Sequence, residues 1–222
     1  MLRWTRHIGI VFLLLFGGMG FLCPSAYAEI KTGNCGADGD NVKYSLNTDT
    51  KVMRIYGTGA MKNVTTTNFL TAIPWYFNSS SVKSIVIEEG VTQIGSYIFM
   101  FCSNLTSVSI PNTVHTIKGG AFNGCGNLTS VTIPTSVSVI EDNAFASTGL
   151  ADVYVGWTEA PLPTFVGLPT NQAITVHVPC GTTDLYEATD GWKDYDIEKT
   201  RPTVTVTTDD DSMGTVEITV ND

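Results

Sequence analysis

Apolar side chains recur through the middle of the chain with a spacing of 23 residues. The matched apolar positions form rows with one member in each unit: Val82, Leu105, Leu128, Leu150; Ile85, Val108, Val131, Val153; Ile87, Ile110, Ile133, Val155; Val91, Val114, Val137; Ile94, Ile117, Ile140; and Phe99, Phe122, Phe145. The third unit is one residue shorter, just before Leu150. Because several rows keep one register, the pattern indicates an internal structural repeat.

Each unit predicts two short strands and a turn. The sequence Leu-x-x-Val-x-Ile alternates as a half-buried strand does, and it ends at a proline such as Pro111, which cannot donate to a ladder. A second extended piece carries Val114 and Ile117, and a tight turn or short helix then inserts Phe122 into the interior. One unit has too few inward side chains to fold alone, so we expect the units to stack. The predicted fold is a solenoid, mostly β with short turns and helical pieces, over residues 82–200.

The predicted N-terminal cap covers residues 29–81. A solenoid end exposes its core, and a cap must cover it. Segments 42–46 and 52–56 alternate and are joined by turn-forming residues, which predicts a β-hairpin. We expect Trp75, just before the first unit, to plug the core rather than to contact a ligand.

The repeat becomes irregular in its fourth coil. We expect residues 160–163, Ala-Pro-Leu-Pro, to replace the second extended piece there, and residues 173–179 to restore a strand that ends in proline. A short helix is expected to be capped by Thr182 or Thr183 and to run through Ala188. Three apolar side chains are then expected to fold over the last coil: Trp192, Tyr195 and Ile197.

The two chain ends differ from the repeat. Residues 1–28 are typical of a secretory signal peptide, with two arginines, an apolar run of 15 residues and the small-x-small sequence Ala-Tyr-Ala before the expected cleavage point. The apolar run is short for a bilayer span, although an uncleaved anchor and a lipoprotein processed at Cys23 stay open as alternatives. Residues 201–222 alternate around three aspartates and predict a hairpin, either the start of a further β module or a tail.

The net charge restricts the classes of partner. The signal peptide holds two of the 12 basic residues and none of the 21 acidic ones, which leaves residues 29–222 with a net charge of −11. An acidic surface repels phosphate backbones and anionic lipid. We therefore expect no nucleic acid partner, no membrane insertion after cleavage of the signal peptide, and a monomer.

Two cysteines occupy the same repeat position. Stacking would place Cys102 and Cys125 close enough for a disulfide. The third unit has Thr148 at this position, which favours a slot for a small buried side chain. Both interpretations are open from the sequence, whereas Cys35 and Cys180 lie too far apart along the predicted stack to pair.

No arrangement in the sequence is typical of an active site or a metal centre. His115 and His177 have no second ligand at metal-binding spacing, and neither a Gly-x-Ser-x-Gly elbow nor a phosphate-binding loop is present. Glu88 and Glu89 are adjacent, so their side chains diverge on an extended chain. We therefore expect no metal, no cofactor and no enzymatic activity. A polysaccharide hydrolase with carboxylates from separate coils is the remote alternative.

The outward positions of the strands provide candidate binding residues. Alignment on the prolines gives one outward row: Val86, Ser109, Thr132, Tyr154 and His177. Exposed aromatic rings with polar tips suit contact with proteins or sugars, and Trp157 follows nearby. The candidate binding residues are Ser109, Thr132, Tyr154, Trp157 and His177. The competing interpretation is that Tyr154 and Trp157 only shield the irregular fourth coil.

Two segments carry a resemblance to a known family. Residues 105–111, Leu-Thr-Ser-Val-Ser-Ile-Pro, and 120–128, Gly-Ala-Phe-Asn-Gly-Cys-Gly-Asn-Leu, are repeated in part at 128–134 and 140–145. Together they resemble the BspA-type bacterial leucine-rich repeat family, over about residues 33–200. The resemblance implies a leucine-rich-repeat solenoid, export to the cell surface or medium of a bacterium, and a role in recognition or attachment, without shared catalytic residues.

These observations lead to two principal hypotheses of function. The first is a secreted or cell-surface protein that mediates adhesion by binding an extracellular protein or glycan, which the sequence does not identify. The alternative is a structural spacer within a larger surface protein. The first predicts loss of binding when the outward row is altered, and the second predicts no ligand.

Overall fold

The structure is a computed structural model that describes residues 29–165 and 167–200 and the backbone of 203–206 and 216–219. The predicted signal peptide and the aspartate run at 209–211 lie outside the described residues. In chain order the elements are β1 (Ile30–Gly36), β2 (Gly39–Asn47), β3 (Val52–Gly57), β4 (Gly59–Ala60), α1 (Phe69–Ala72), β5 (Ser84–Ile87), β6 (Val91–Ile94), β7 (Ser107–Ser109), β8 (Thr116–Ile117), β9 (Ser130–Ile133), β10 (Val139–Ile140), β11 (Asp152–Val155), β12 (Thr164–Phe165), β13 (Thr175–Val178), α2 (Thr183–Glu187), β14 (Asp196–Lys199), β15 (Thr203–Val206) and β16 (Val216–Thr219). A 3-10 helix, Tyr76–Ser81, precedes β5.

Two parallel sheets form the walls of a solenoid. The rear sheet has the order β4-β6-β8-β10-β12, and the front sheet consists of two ladders, β3-β5-β7 and β9-β11-β13-β14. Ile85 lies opposite Val108, and Val131 lies opposite Val153, as the repeat register predicts. Equivalent apolar side chains therefore meet in one interior, and the predicted solenoid is confirmed.

The N-terminal strands continue the front sheet. β2 pairs antiparallel with β3, which confirms the predicted hairpin, and β3 pairs in parallel with β5. β1, which we did not predict, pairs antiparallel with β2 and forms the outer edge. The hairpin is thus continuous with the stack that it covers.

Aromatic rings form a column through the interior. Phe99 and Phe122 stack with ring centroids 5.3 Å apart, and Phe122 and Phe145 stack at 5.2 Å. Trp75 stacks on Phe99 at 5.5 Å and is only 2% exposed, as expected for a core plug. One aromatic position in each turn therefore fills the same layer of the core.

The cysteines of the repeat are free thiols packed in the core. Cys125 donates a hydrogen bond from Sγ to the carbonyl of Phe99 at 3.3 Å, and Thr148 in the next coil donates from its hydroxyl to the carbonyl of Phe145 at 2.7 Å. Burial raises the pKa of Cys125 to about 12 and that of Cys102 well above its ordinary value. Of the two interpretations, a disulfide or a slot for a small buried side chain, the structure shows the slot.

The C-terminal coils required one correction. The expectation that residues 160–163 replace the second strand of the fourth coil is wrong, because β12 follows them and pairs with β10. These residues instead form an insertion that places Leu162 in the core. The strand predicted within residues 173–179 is confirmed as β13, and the predicted short helix is confirmed as α2. The hydroxyl of Thr182 donates to the carbonyl of Pro179 at 2.7 Å instead of capping α2.

The last coil is covered from its C-terminal side. Trp192 is fully buried, and its indole N–H donates to the carbonyl of Pro163 at 3.2 Å. Ile197 lies in β14, a seventh strand of the front sheet that we did not predict, opposite Val176 of β13. The predicted tail hairpin is confirmed in the strands β15 and β16, which pair antiparallel.

Candidate functional site

The outward row that the alignment on the prolines predicts is largely present in the structure. Thr132 lies opposite Tyr154, and Tyr154 opposite His177, so three of the five candidates are neighbours across adjacent strands. Ser109 lies in the other ladder, opposite Val86. We call the outward surface formed by Ser109, Thr132, Tyr154 and His177 the front face.

Tyr154 and His177 form a stacked pair on this face. Their ring centroids are 4.3 Å apart and the rings are within 9° of parallel. Tyr154 is 39% exposed, so one side of its ring packs against His177 while part of the ring faces solvent. A ring held in place on a strand contributes contact area with little loss of side-chain freedom on binding.

One carboxylate holds the histidine, and a second lies near it. His177 Nε2 lies 2.7 Å from Asp152 Oδ1, within hydrogen-bond distance, whereas Nδ1 lies 3.7 Å from Glu198 Oε2, beyond that distance. The hydrogen bond to Asp152 restricts the rotation of the imidazole and therefore fixes the plane on which Tyr154 stacks. Neither carboxylate was among the residues predicted for the site, because the alignment on the prolines selected one outward row and β14 carries no trace of the repeat.

A groove adjoins the stacked pair where the front sheet is interrupted. β7 is the edge strand of one ladder and β9 is the edge strand of the other. The structure describes both strands in full, and they are not hydrogen-bonded to each other as a ladder. Val108 and Ile110 of the β7 coil are half-buried, whereas the equivalent Val131 and Ile133 are 3% and 1% exposed. The groove is lined by twelve residues that include Val108, Ser109, Ile110, Thr132, Thr135, Tyr154 and Thr200. Since Val108 and Ile110 match the repeat, no signal in the sequence could have revealed this groove.

The front face combines apolar surface with hydroxyl groups. Hydroxyls of Ser109, Thr132 and Tyr154 can each donate and accept hydrogen bonds, and the half-buried Val108 and Ile110 supply apolar contact beside them. Stacking on Tyr154 together with these contacts suits noncovalent recognition.

Trp157 does not belong to this face, and the expectation that it is an exposed contact residue is wrong. It is 9% exposed, its indole N–H donates to the carbonyl of Thr135 at 3.0 Å, and its ring packs edge-on against Trp192 at 5.8 Å. The hydroxyl of Tyr186 donates to the carbonyl of Trp157 at 2.8 Å, and burial raises the pKa of Tyr186 to about 12. Trp157 is therefore part of the core beneath the irregular coil.

Metal binding and membrane spanning are two further possibilities for the described residues. Among them, no group of three or more His, Cys, Asp or Glu side chains is arranged to hold a metal ion. Nor does any helix in this part of the chain have the length and apolar character needed to cross a bilayer.

Comparison with known proteins identifies the repeat. A family model described as BspA type leucine rich repeat region matches residues 55–157 in six copies. No curated protein sequence matches the chain.

Three solved structures of leucine-rich repeat proteins match this chain, the first of them with a similar fold. A leucine-rich repeat protein from Eubacterium ventriosum superposes with a TM-score of 0.52 at 21% identity, covering 70% of this chain and 45% of that one. The T. pallidum leucine rich repeat protein gives a TM-score of 0.39 at 20% identity, with coverages of 69% and 77%. A leucine rich cell surface protein from Faecalibacterium prausnitzii gives 0.41 at 18% identity, with coverages of 72% and 38%.

The chain spans less than half of the Eubacterium ventriosum protein, and the likeness concerns the fold alone. The family model and the fold agree on the same coils, from β3 to the start of the irregular fourth coil. Residues 55–157 are therefore a BspA-type leucine-rich repeat region.

Proposed function

We propose that this chain is an exported protein of the bacterial surface that binds an extracellular protein or glycan through its front face. The observation that supports the proposal is the ring of Tyr154, which is 39% exposed, stacks on His177 and borders the groove at the sheet interruption. Large apolar residues are usually buried on monomers, and those that stay exposed beside a groove are typical of interaction sites.

The surroundings of Tyr154 support recognition rather than shielding alone. Trp157 and Leu162 already close the core of the fourth coil from within, so the outward ring of Tyr154 is not needed to cover it. His177 is held by Asp152 at 2.7 Å, which fixes the stacked pair before a ligand arrives. A contact surface ordered in advance loses less conformational freedom on binding.

The proposal is tested by binding with matched variants. Residues 29–222 are applied to arrays of purified extracellular proteins and of glycans, and each interaction found is measured by surface plasmon resonance for the wild type, Tyr154→Ala and His177→Ala. We expect both variants to bind at least about tenfold more weakly, as for residues at the centre of an interface. Val139→Ala is the control, because Val139 is 43% exposed on the rear sheet.

Three outcomes contradict the proposal. Unchanged affinity of a folded Tyr154→Ala variant would reject the front face as the site. Absence of binding to every protein and glycan tested would favour the structural spacer. Turnover of a polysaccharide substrate would favour the hydrolase.

A further inference from the structure

A second exposed surface lies on the N-terminal cap and the first unit. Phe69 packs edge-on against Tyr76 at 5.3 Å and against Phe101 at 6.4 Å, and Tyr76 packs against Phe77 at 5.5 Å. Leu70 follows Phe69 in α1. We call these five residues, Phe69, Leu70, Tyr76, Phe77 and Phe101, the aromatic strip.

The aromatic strip exposes much of its apolar surface. Phe77 is 87% exposed, Leu70 52% and Phe101 48%. With about 200 Å² for a phenylalanine side chain, the three expose about 350 Å² of apolar surface together. Patches of this size on a monomer are often functional.

Phe101 occupies a left-handed backbone position at which the coils differ in side chain. Phe101 has a φ of +62°, and the equivalent residues of the next two coils, Gly124 and Ser147, have φ values of +78° and +54°. The conformation therefore belongs to the repeat, and glycine adopts it without the steric penalty that a bulky side chain meets. Of these three positions, only Phe101 carries an apolar ring, and that ring is exposed.

Charge is distributed unevenly between the two halves of the chain. Residues 29–105 contain six basic and six acidic side chains, whereas residues 106–222 contain four basic and 15 acidic ones. Residues 63–82, which include four of the five members of the aromatic strip, contain no Asp, Glu, Lys or Arg. The strip thus lies in the electrically neutral half of an acidic protein.

From these observations we infer that the aromatic strip is a self-association surface, through which two copies of the chain form a two-fold symmetric dimer. In such a dimer each copy presents the same surface, and an uncharged apolar surface is complementary to itself. The neutral halves meet while the described acidic parts, residues 106–200 with three basic and ten acidic side chains and hence a net charge of −7, point away from each other. This dimer replaces the monomer expected from the sequence.

The available area fits a dimer of moderate affinity. A standard interface buries about 800 Å² on each partner, of which somewhat more than half is apolar. The three most exposed side chains supply most of that apolar share, and the half-buried Phe69 and Tyr76 add to it. The front face is a separate surface, and its ligand binding is independent of this proposal.

Sedimentation velocity of residues 29–222 tests the inference. Every residue of the described core lies within this segment. A reducing agent is included because Cys180 is an exposed free thiol that could link two chains covalently. We expect the weight-average mass to rise from one chain towards two between about 1 and about 200 µM. Raising the salt concentration should strengthen the association, because it screens the repulsion between the acidic halves.

Two variants and one control locate the contact. Phe77→Ser should weaken association at least tenfold, and so should Phe101→Gly, which is compatible with the fold because Gly124 adopts the same left-handed conformation in the next coil. Val139→Ser, an equally simple loss of exposed apolar surface on the rear sheet, should leave association unchanged.

Three results would overturn the dimer. They are a single-chain mass at every concentration, a dimer that survives both variants, and a chain that stays monomeric but sediments with phosphatidylcholine vesicles through Phe77. The last result would assign the aromatic strip to a lipid surface.

Discussion

The regular and the irregular coils of this solenoid differ in where equivalent aromatic rings stack on one another. Between residues 82 and 149 the phenylalanines of the repeat row, Phe99, Phe122 and Phe145, lie inside, one above another at 5.2–5.3 Å, and the outward strand positions of β7 and β9 carry serine and threonine. From β11 onward the column ends, and an outward pair, Tyr154 and His177, stacks on the surface instead. The strand register places equivalent side chains of successive coils over one another. In the regular coils this stacks phenylalanines in the core, and in the irregular coils it stacks Tyr154 on His177 at the proposed binding surface.

The difference teaches that departure from the repeat carries the functional information. A residue that matches its row is explained by packing, since every coil needs it. Tyr154, His177 and Phe101 depart from the pattern of neighbouring coils, and each keeps a ring at or near the surface. Substitutions in the two regions test whether residues that match the repeat stabilise the fold and residues that depart from it contact a ligand.

Removal of one ring from the column should destabilise the regular coils most. Phe122→Ala should lower the free energy of unfolding by about 3–5 kcal/mol, because it leaves a cavity between two stacked rings. Leu168 takes the phenylalanine position in the fourth coil and is 5% exposed, and Leu168→Ala should have a smaller effect, about 2–4 kcal/mol. Urea unfolding followed by circular dichroism measures both. Equal losses, or a larger loss at Leu168, would contradict the importance of the column.

Two neighbouring aromatic residues in the irregular coils should differ sharply in their effect on stability. Trp157→Ala should lower the unfolding free energy by about 3 kcal/mol, because Trp157 supports the buried Trp192. Tyr154→Ala should lower it by less than about 1 kcal/mol, since its ring is partly exposed. The same urea titration distinguishes them, and comparable losses would mean that Tyr154 is a packing residue.

The buried thiols of the regular coils should make the protein sensitive to alkaline pH. The folded pKa of Cys102 and that of Cys125 are raised from 9.0, the latter to about 12, so the folded state binds more protons than the unfolded state above pH 9. Stability is therefore complete below pH 9 and falls as the pH rises towards 12, by about 2–3 kcal/mol at pH 10 for the two thiols together.

Replacement of both thiols tests their share of that pH dependence. The variant Cys102→Thr/Cys125→Thr should lose less stability than the wild type between pH 8 and pH 10, measured by urea unfolding at each pH. Threonine is the matched replacement because Thr148 occupies the same slot in the third unit. Equal pH dependence of the two proteins would contradict the role of thiol burial.

The smallest effect is expected for an ion pair between regular coils. Burial acts to raise the pKa of Glu141, but hydrogen bonds from Lys118 and from the N–H of Gly119 outweigh it and hold the pKa below its ordinary value. The pair therefore stabilises the fold above the unfolded pKa, and the stabilisation is lost as the pH falls. Glu141→Gln should lower stability at pH 7 by less than about 1 kcal/mol. Glu89→Gln, at an exposed carboxylate, should change it less still in thermal unfolding.

The regular coils could be predicted from the sequence because each row constrains the others. Phe99, Phe122 and Phe145 have equal spacing, and a stack is the arrangement that gives all three the same surroundings. β14 could not be predicted in this way, since Ile197 is the one apolar residue in Asp196–Lys199. A strand recognised by alternation needs more than one apolar position.

The candidate site was predicted only in part, for a related reason. Tyr154 and His177 follow from the register, because alignment on the prolines places them in one outward row. Trp157 comes after the regular spacing ends, so no row of equivalent residues indicated whether its side chain faces the core or the solvent. It was predicted among the outward contact residues, whereas its side chain is buried. The groove beside Tyr154 arises from the geometry between β7 and β9, whose residues all match the repeat.

The last strand of the front sheet has a further consequence for the behaviour of the protein in solution. Asp196, Glu198 and Lys199 are exposed on β14. A flat apolar edge strand would be a template for joining one molecule to the next, and charged side chains on an edge oppose this. A solenoid built by adding one strand to another thereby carries, on the edge strand of its front sheet, a barrier to fibril growth.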